Sequence, residues 1–295
     1  MPHKDFNKPK VAFSLVEISI IILIIGILIS GVSQGVDLYK DYKISIAKNL
    51  TQNSRVGRID NLVLWLEASQ KSSFEPNDIK EGLRITKWKN IAPNIPSVER
   101  ALNDALATSA TGPRFYEDVV NNLPSLNFDP SEDNCLWVRN GFDGLGIDTT
   151  VYFAIKTKSD WEDVNQPRLL GRISNSNLYS MWDIRSPVLV YNNGANVTNY
   201  VGLYAIKPNS LILHELIIDR GKEISYKITG NSNISGYAID TYSGPHINAG
   251  LSIRCGGVNK ASAYYLEIIV FDRALSVNER SDVRNYLIQK WGIKK

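Results

Sequence analysis

"LEIIVFDRALSVNERSDVRNYLIQKWGI", residues 266–293, changes its period partway along. Up to Phe271, together with Tyr264 and Tyr265, it is apolar and rich in β-branched and aromatic residues apart from Glu267, which reads as a strand. From Ser276 the spacing is helical. Ser276 stands as an N-cap with Glu279 three residues on, a capping box. Val283, Tyr286 and Leu287 make one apolar face, and Gly292 follows Trp291 where a helix would end. Glu267, Asp272 and Arg273 are expected to form a buried ion pair or a cap, while Leu275, Leu287 and Trp291 bury against a sheet.

Upstream, the same β signal recurs. "NLVLWLEAS" (61–69), "SLNF" (125–128), "TTVYFAIKT" (149–157), "SPVLVY" (186–191), "LILHELIID" (211–219), "EISYKIT" (223–229) and "GLSIRC" (250–255) are separated by turn clusters such as "NNGAN", "TGNSNISG" and "YSGP". Many short strands with little helix predict a mainly β domain, a two-sheet antiparallel β-sandwich closed by a short C-terminal helix. With no linker-like stretch dividing it, one sandwich is expected over residues 55–295.

The N-terminal end is of another kind. "KVAFSLVEISIIILIIGILISGV", residues 10–32, is apolar apart from Lys10, three serines and Glu17, and no charge occurs from Ile18 to Val36. A run of about 20 apolar residues matches the hydrocarbon core of a bilayer. Lys4, Lys8 and Lys10 precede it, so the positive-inside rule keeps the short leader in the cytoplasm. A cleavable signal would have a shorter apolar region ending in small residues, and no A-x-A site follows here. Glu17 is the residue a plain anchor does not explain, because a carboxylate in a membrane needs a partner. Cutting between Ala12 and Phe13 would create an α-amino group one helical turn from it. Beyond Val36, Leu38, Tyr42, Ile46 and Leu50 continue as an amphipathic stripe, so one long helix, transmembrane over about 14–36 and then amphipathic, is expected to run to about Asn53. Residues 53–60 read as a short linker.

"AFSLVE" resembles the processing motif of type IV prepilins and pseudopilins, in which a basic leader precedes a small residue, Phe, Ser or Thr, Leu, an apolar residue and Glu. The resemblance implies a leader over 1–12 and a pilin-like helix over 13–54. It also implies a scissile bond at Ala12–Phe13 cut by a prepilin peptidase, N-methylation of Phe13, and Glu17 aligning neighbouring subunits in a filament drawn from the bacterial inner membrane. Gly26 matches a small residue usual in that helix. Ala12 replaces the commoner Gly, and Gln34 stands where many major pilins carry Pro, which suits a minor subunit. The C-terminal stretch, with "LVLWLEAS", "ITKWKN" and "LPSLNFD", is similar to laminin-G-like domains of the concanavalin A-like lectin/glucanase superfamily. That similarity implies a jelly-roll sandwich from residue 61 onward and a head that binds a glycan or a host or surface protein for adhesion.

Composition narrows the functions further. Lys and Arg total 33 against 30 Asp and Glu, so no charge excess points to nucleic acid. Two cysteines, Cys135 and Cys255, exclude a disulfide-dense scaffold and leave one long-range bridge or two buried thiols open. "NFDPSEDN" gathers Asp129, Glu132 and Asp133 in a turn able to hold a hard cation such as Ca²⁺. Trp161, Trp182, Tyr191 and Tyr242 lie near loops and offer stacking faces or packing. No strand carries the alternating carboxylates of a sandwich glycosidase, and Glu75, Asp78 and Glu81 of "EPNDIKE" fall in a loop, so no catalytic residue is expected. Three alternatives stand beside the pilin reading: a type II secretion pseudopilin, an uncleaved membrane-anchored lectin and a sandwich glycosidase.

Overall fold

The structure is a computed structural model that describes residues 14–107, 112–129, 132, 134–138, 148–161, 168–173, 180–185, 188–192, 198–202, 206–220, 222–230, 250–254 and 262–294. In chain order the elements are α1 (Leu15–Asn53), β1 (Leu62–Glu67), β2 (Lys87–Trp88), α2 (Ser97–Leu102), β3 (Ala105–Ala107), β4 (Arg114–Val120), β5 (Leu123–Phe128), β6 (Leu136–Val138) and β7 (Thr149–Thr157). They continue with β8 (Arg168–Ile173), β9 (Ser180–Arg185), β10 (Val188–Asn192), β11 (Thr198–Gly202), β12 (Leu211–Asp219), β13 (Glu223–Gly230), β14 (Gly250–Ile253), β15 (Ala263–Phe271) and α3 (Val277–Trp291).

Contacts divide the chain into two compact units, Met1–Lys43 and Ile44–Lys295. In the first, the described residues from Leu15 on are helical, and the Ile, Leu and Val side chains from Leu15 to Val36 are exposed. By length and composition α1 can cross a membrane.

The second unit is a sandwich of two antiparallel sheets. One has seven strands in the order β13-β12-β7-β15-β5-β4, with β1 also paired to β15; the other has eight, β11-β10-β9-β8-β14-β6-β3-β2. Alternation along the strands assigns the faces. Val151, Phe153 and Ile155 of β7 join Leu136, Val138, Leu251 and Ile253 of the facing sheet in the inner core. Tyr152 and Ala154 of the same strand face outward, where Val283, Leu287 and Trp291 of α3 cover them. The seven-stranded sheet is therefore buried on both faces, which is why β7 and β12 read as nearly continuous apolar runs.

Helix α3 begins and ends as its sequence predicts. Ser276 and Glu279 form the reciprocal capping box, and Gly292 closes the helix at φ +71° with its N–H on Ile288 O. The stretch 53–60 is not a loose linker. Val56 and Ile59 are buried in the outer core, and residues 56–58 make a 3₁₀ turn, because two apolar side chains there complete the cover over the sheet. Sequence reading passes over β2, β3, β4, β6, β8, β9 and β11, most of which are short or charged. β2, β3 and β6 have two or three residues, too few to show a period, and β4 carries Glu117 and Asp118. β4 is an edge strand, where charge discourages pairing with other chains.

Candidate functional site

Ala12 and Phe13 lie outside the described residues. Glu17 is exposed at the start of α1, and its carboxylate accepts from the Ser14 N–H at 2.7 Å while Ser14 Oγ accepts from the Glu17 N–H at 3.2 Å. This is the same capping box that opens α3. The carboxylate thus has a hydrogen-bond donor in the first turn of its own helix. It satisfies orphan N–H groups and meets the positive end of the helix dipole.

In the acidic turn after β5, the described carboxylates, Asp129 and Glu132, face cations of the protein itself. Glu132 accepts from Arg84 at 2.9 Å and from Arg114 at 2.8 Å, and also from Asn134 at 3.0 Å. The Arg114 bonds are the main cause holding the Glu132 carboxyl below its ordinary value. Asp129 faces Lys158 at 3.5 Å, and Asp133 lies outside the described residues. Among the described residues no group of three His, Cys, Asp or Glu side chains is placed to hold a metal ion. Of the three carboxylates, Glu132 is thus engaged by two guanidinium groups of the protein.

Other residues singled out by sequence fall into place more simply. Cys135 is disulfide-bonded, and Cys255 lies outside the described residues. Trp161 is buried in the inner core, Trp182 and Tyr191 lie on β9 and β10, and Tyr242 is outside the described residues. Glu75, Asp78 and Glu81 sit in loops. Glu75 pairs with Lys87 and Lys89, Asp78 accepts from Thr86, and Glu81 from the Glu117 N–H.

The most concentrated chemistry lies where α3 meets the sheet. Glu67 of β1 and Glu267 of β15 are direct cross-strand partners, both fully buried. Like charges so placed repel. Lys290 relieves this: its ammonium bonds Glu67, and reaches Glu267 at 2.9 Å, Thr51 at 3.0 Å and Tyr286 at 3.0 Å. Trp65 at 2.7 Å, Tyr286 at 2.7 Å and Trp291 at 2.8 Å donate to Glu267, while Ser69 and Gln70 donate to Glu67. Burial pushes the Glu267 carboxyl up, Lys290 pulls it back, and Glu67 pushes it up again. A bulge explains how Glu267 gets there. Tyr265 and Ile268 point into the inner core, so the register shift between Tyr265 and Glu267 turns both Leu266 and Glu267 outward. Of the expected trio, Glu267 makes this buried pair with Lys290, Arg273 forks onto Glu279 at 2.6 and 3.0 Å, and Asp272 donates its backbone N–H to Asn61 O. Two neighbouring carboxylates would suit acid–base work, but these are sealed from solvent and bind the head together.

Among the described residues of the second unit, two surface grooves stand out. One, of about 430 Å³, runs between residues 46–55 and α3, with Leu50, Asn53, Asn285 and Gln289 in its walls and Arg55 facing Asp282 across it at 3.4 Å. The other, of about 400 Å³, lies beside the edge strand β2 and contains Lys89, Arg100 and Asp104. Sequence reading finds neither, since their residues come from segments distant in the chain.

The fold belongs to the class of two-sheet antiparallel β-sandwiches. It is similar to the binding domain of Paraclostridial Mosquitocidal Protein 1, with a TM-score of 0.53 and 14% identity over 79% of this chain and 55% of that one. It is also similar to the receptor-binding domain of botulinum neurotoxin mosaic serotype C/D, with a TM-score of 0.52 and 10% identity over 81% and 55%. A third is the binding domain of botulinum neurotoxin DC, solved with rat synaptotagmin II, with a TM-score of 0.50 and 10% identity over 79% and 52%. The chain spans about half the length of these structures, and at such identities the likeness is one of fold. No family model and no curated protein matches the chain.

Proposed function

We propose that this chain is a type IV pilin-like subunit, a minor component of a pilus or pseudopilus, whose lectin-like head binds a glycan or a protein for adhesion. The observation that carries the reading is the "AFSLVE" motif at the head of an exposed apolar helix, joined to a sandwich. Residues 1–12 are the leader that a prepilin peptidase removes at Ala12–Phe13. Residues 13–54 form the helix that serves membrane and filament, and 55–295 the head. Before processing the chain sits once through the bacterial inner membrane with its N-terminus in the cytoplasm; afterwards the head faces the periplasm or the outside. The Ser14–Glu17 box supports the assembly role, because it keeps a carboxylate fixed at the end of the helix where a neighbouring subunit's new α-amino group can reach it. The fold favours binding over catalysis, since the solved relatives carrying the fold argument are described as binding domains.

N-terminal mass spectrometry tests the reading in cells with and without a prepilin peptidase. A methylated Phe13 terminus that depends on the peptidase is expected. An intact leader in both strains would overturn the pilin reading and leave a membrane-anchored lectin.

A further inference from the structure

We infer that the groove beside β2 is the head's ligand site, and that it takes a carboxylated saccharide, with Arg100 holding the carboxylate and Asp104 accepting from hydroxyl groups. The inference rests on the binding reading above and names the site and ligand class that reading leaves open. Asp104 lines the groove and is 8% exposed, and among the described residues the one hydrogen bond its carboxylate accepts is from the Asn90 N–H to Oδ1 at 2.8 Å, which leaves Oδ2 for a ligand. Arg100, on α2, offers five N–H donors, and among the described residues the one hydrogen bond from its guanidinium is of 3.4 Å to Ala92 O. Among the described residues no ion pair joins the two. An acceptor and a planar donor fork therefore face one cavity without satisfying each other, and a ligand bearing both hydroxyls and a carboxylate bridges them. A guanidinium fork matches a carboxylate in two parallel bonds.

The rest of the groove suits the same ligand. Ser72 and Ser97 add hydroxyls that donate or accept, while Ile91 and Ala101 give a small apolar wall for a sugar's C–H face. The volume lies within the range of small-molecule pockets, about 300–1,000 Å³. Asn90 fixes the floor: its side chain accepts from the Trp65 and Ala92 N–H groups and donates to Val63 O, tying the groove to β1. Burial raises the Asp104 carboxyl, and the Asn90 bond, Lys87, Lys89 and Arg100 lower it again. Lys89 is already held by Phe74 O at 3.0 Å and Glu75 at 3.4 Å, which leaves Arg100 as the guanidinium available to an anion.

The test is calorimetric titration of the full-length protein in micelles whose headgroups carry no sugar. The probes are the methyl glycosides of glucuronic acid and N-acetylneuraminic acid, and the methyl ester of each. At least one free acid should bind, and its ester at least about ten-fold more weakly. Arg100→Gln and Asp104→Asn should each weaken the acid by a similar factor with unchanged thermal unfolding; Asn keeps an oxygen for the Asn90 N–H. Equal binding of acid and ester, or loss with Arg100→Gln but not Asp104→Asn, overturns the inference. A glycan and protein array run with the same protein separates the two readings. Array hits unaffected by either substitution sink this site alone, and an empty array sinks the binding reading with it.

Discussion

Lys290 shows how a single residue can hold several elements. Its ammonium is fully buried among two carboxylates, a threonine and a tyrosine, and the rings of Tyr286 and Trp291 lie within 5.3 and 5.2 Å of it. Removing one partner of a buried ion pair costs about 3–5 kcal/mol, because the other charge is left in low dielectric. Lys290→Met should destabilise the head by that order in denaturant unfolding followed by tryptophan fluorescence. Adding Glu67→Gln should recover part of the loss, since it removes the orphaned charge and the repulsion against Glu267. If Lys290→Met were silent, the cluster would not be what joins α3 to the sheet. The sequence carried a sign of this that composition hides. Lys290 lies four residues after Tyr286 and seven after Val283, a core position on the apolar face of α3. Glu67 likewise falls two residues after the outward-facing Trp65 on β1. A charged residue at an apolar position of one element is legible, but its partners on other elements are not. The bulge that aims Glu267 leaves no trace in a run reading "YYLEIIVF".

At the scale of elements, the two capped helices use one device in different settings. In α3 the Glu279 carboxylate takes the Ser276 N–H at 2.9 Å and the Arg273 fork, and these bonds hold its pKa at about 2 against an ordinary 4.5, with Arg273 the larger cause. A carboxyl depressed by folding contributes stability that is present above 4.5 and is lost as pH falls through about 2. Wild type should therefore exceed Glu279→Gln in unfolding free energy near neutral pH, and the gap should close between about pH 5 and about pH 2. A pH-independent gap would mean that the contribution of Glu279 is packing and not charge. The cap of α3 was legible because it is local, confined to four consecutive residues. The equally local Ser14–Glu17 box was passed over because Glu17 lies in an apolar run and reads there as a membrane carboxylate. The grooves were not, because Asp104, Arg100 and Ser72 meet only after β1, β2 and β3 are placed.

For the whole molecule, size limits where a subunit of the proposed pilin-like kind can sit in a filament. The compact unit from Ile44 to Lys295 has 252 residues by its bounds, for which a radius of gyration of about 18 Å and a breadth of about 45 Å are expected. Packed helices stand about 8–10 Å apart. Helices at that spacing cannot each carry a head several times broader at the same level along a fibre. Heads would have to be widely staggered, or the subunit rare. The proposed pilin-like role therefore predicts a minor fraction of the filament, placed where a bulky head is free on at least one side, as at the tip. Quantitative mass spectrometry of sheared filaments, with gold-labelled antibody against the head, should find few copies and end labelling. A fibre in which this chain is the main repeating subunit, with heads packed side by side, would overturn the minor-subunit reading. The Phe13 terminus and the groove beside β2 would still stand or fall on their own measurements.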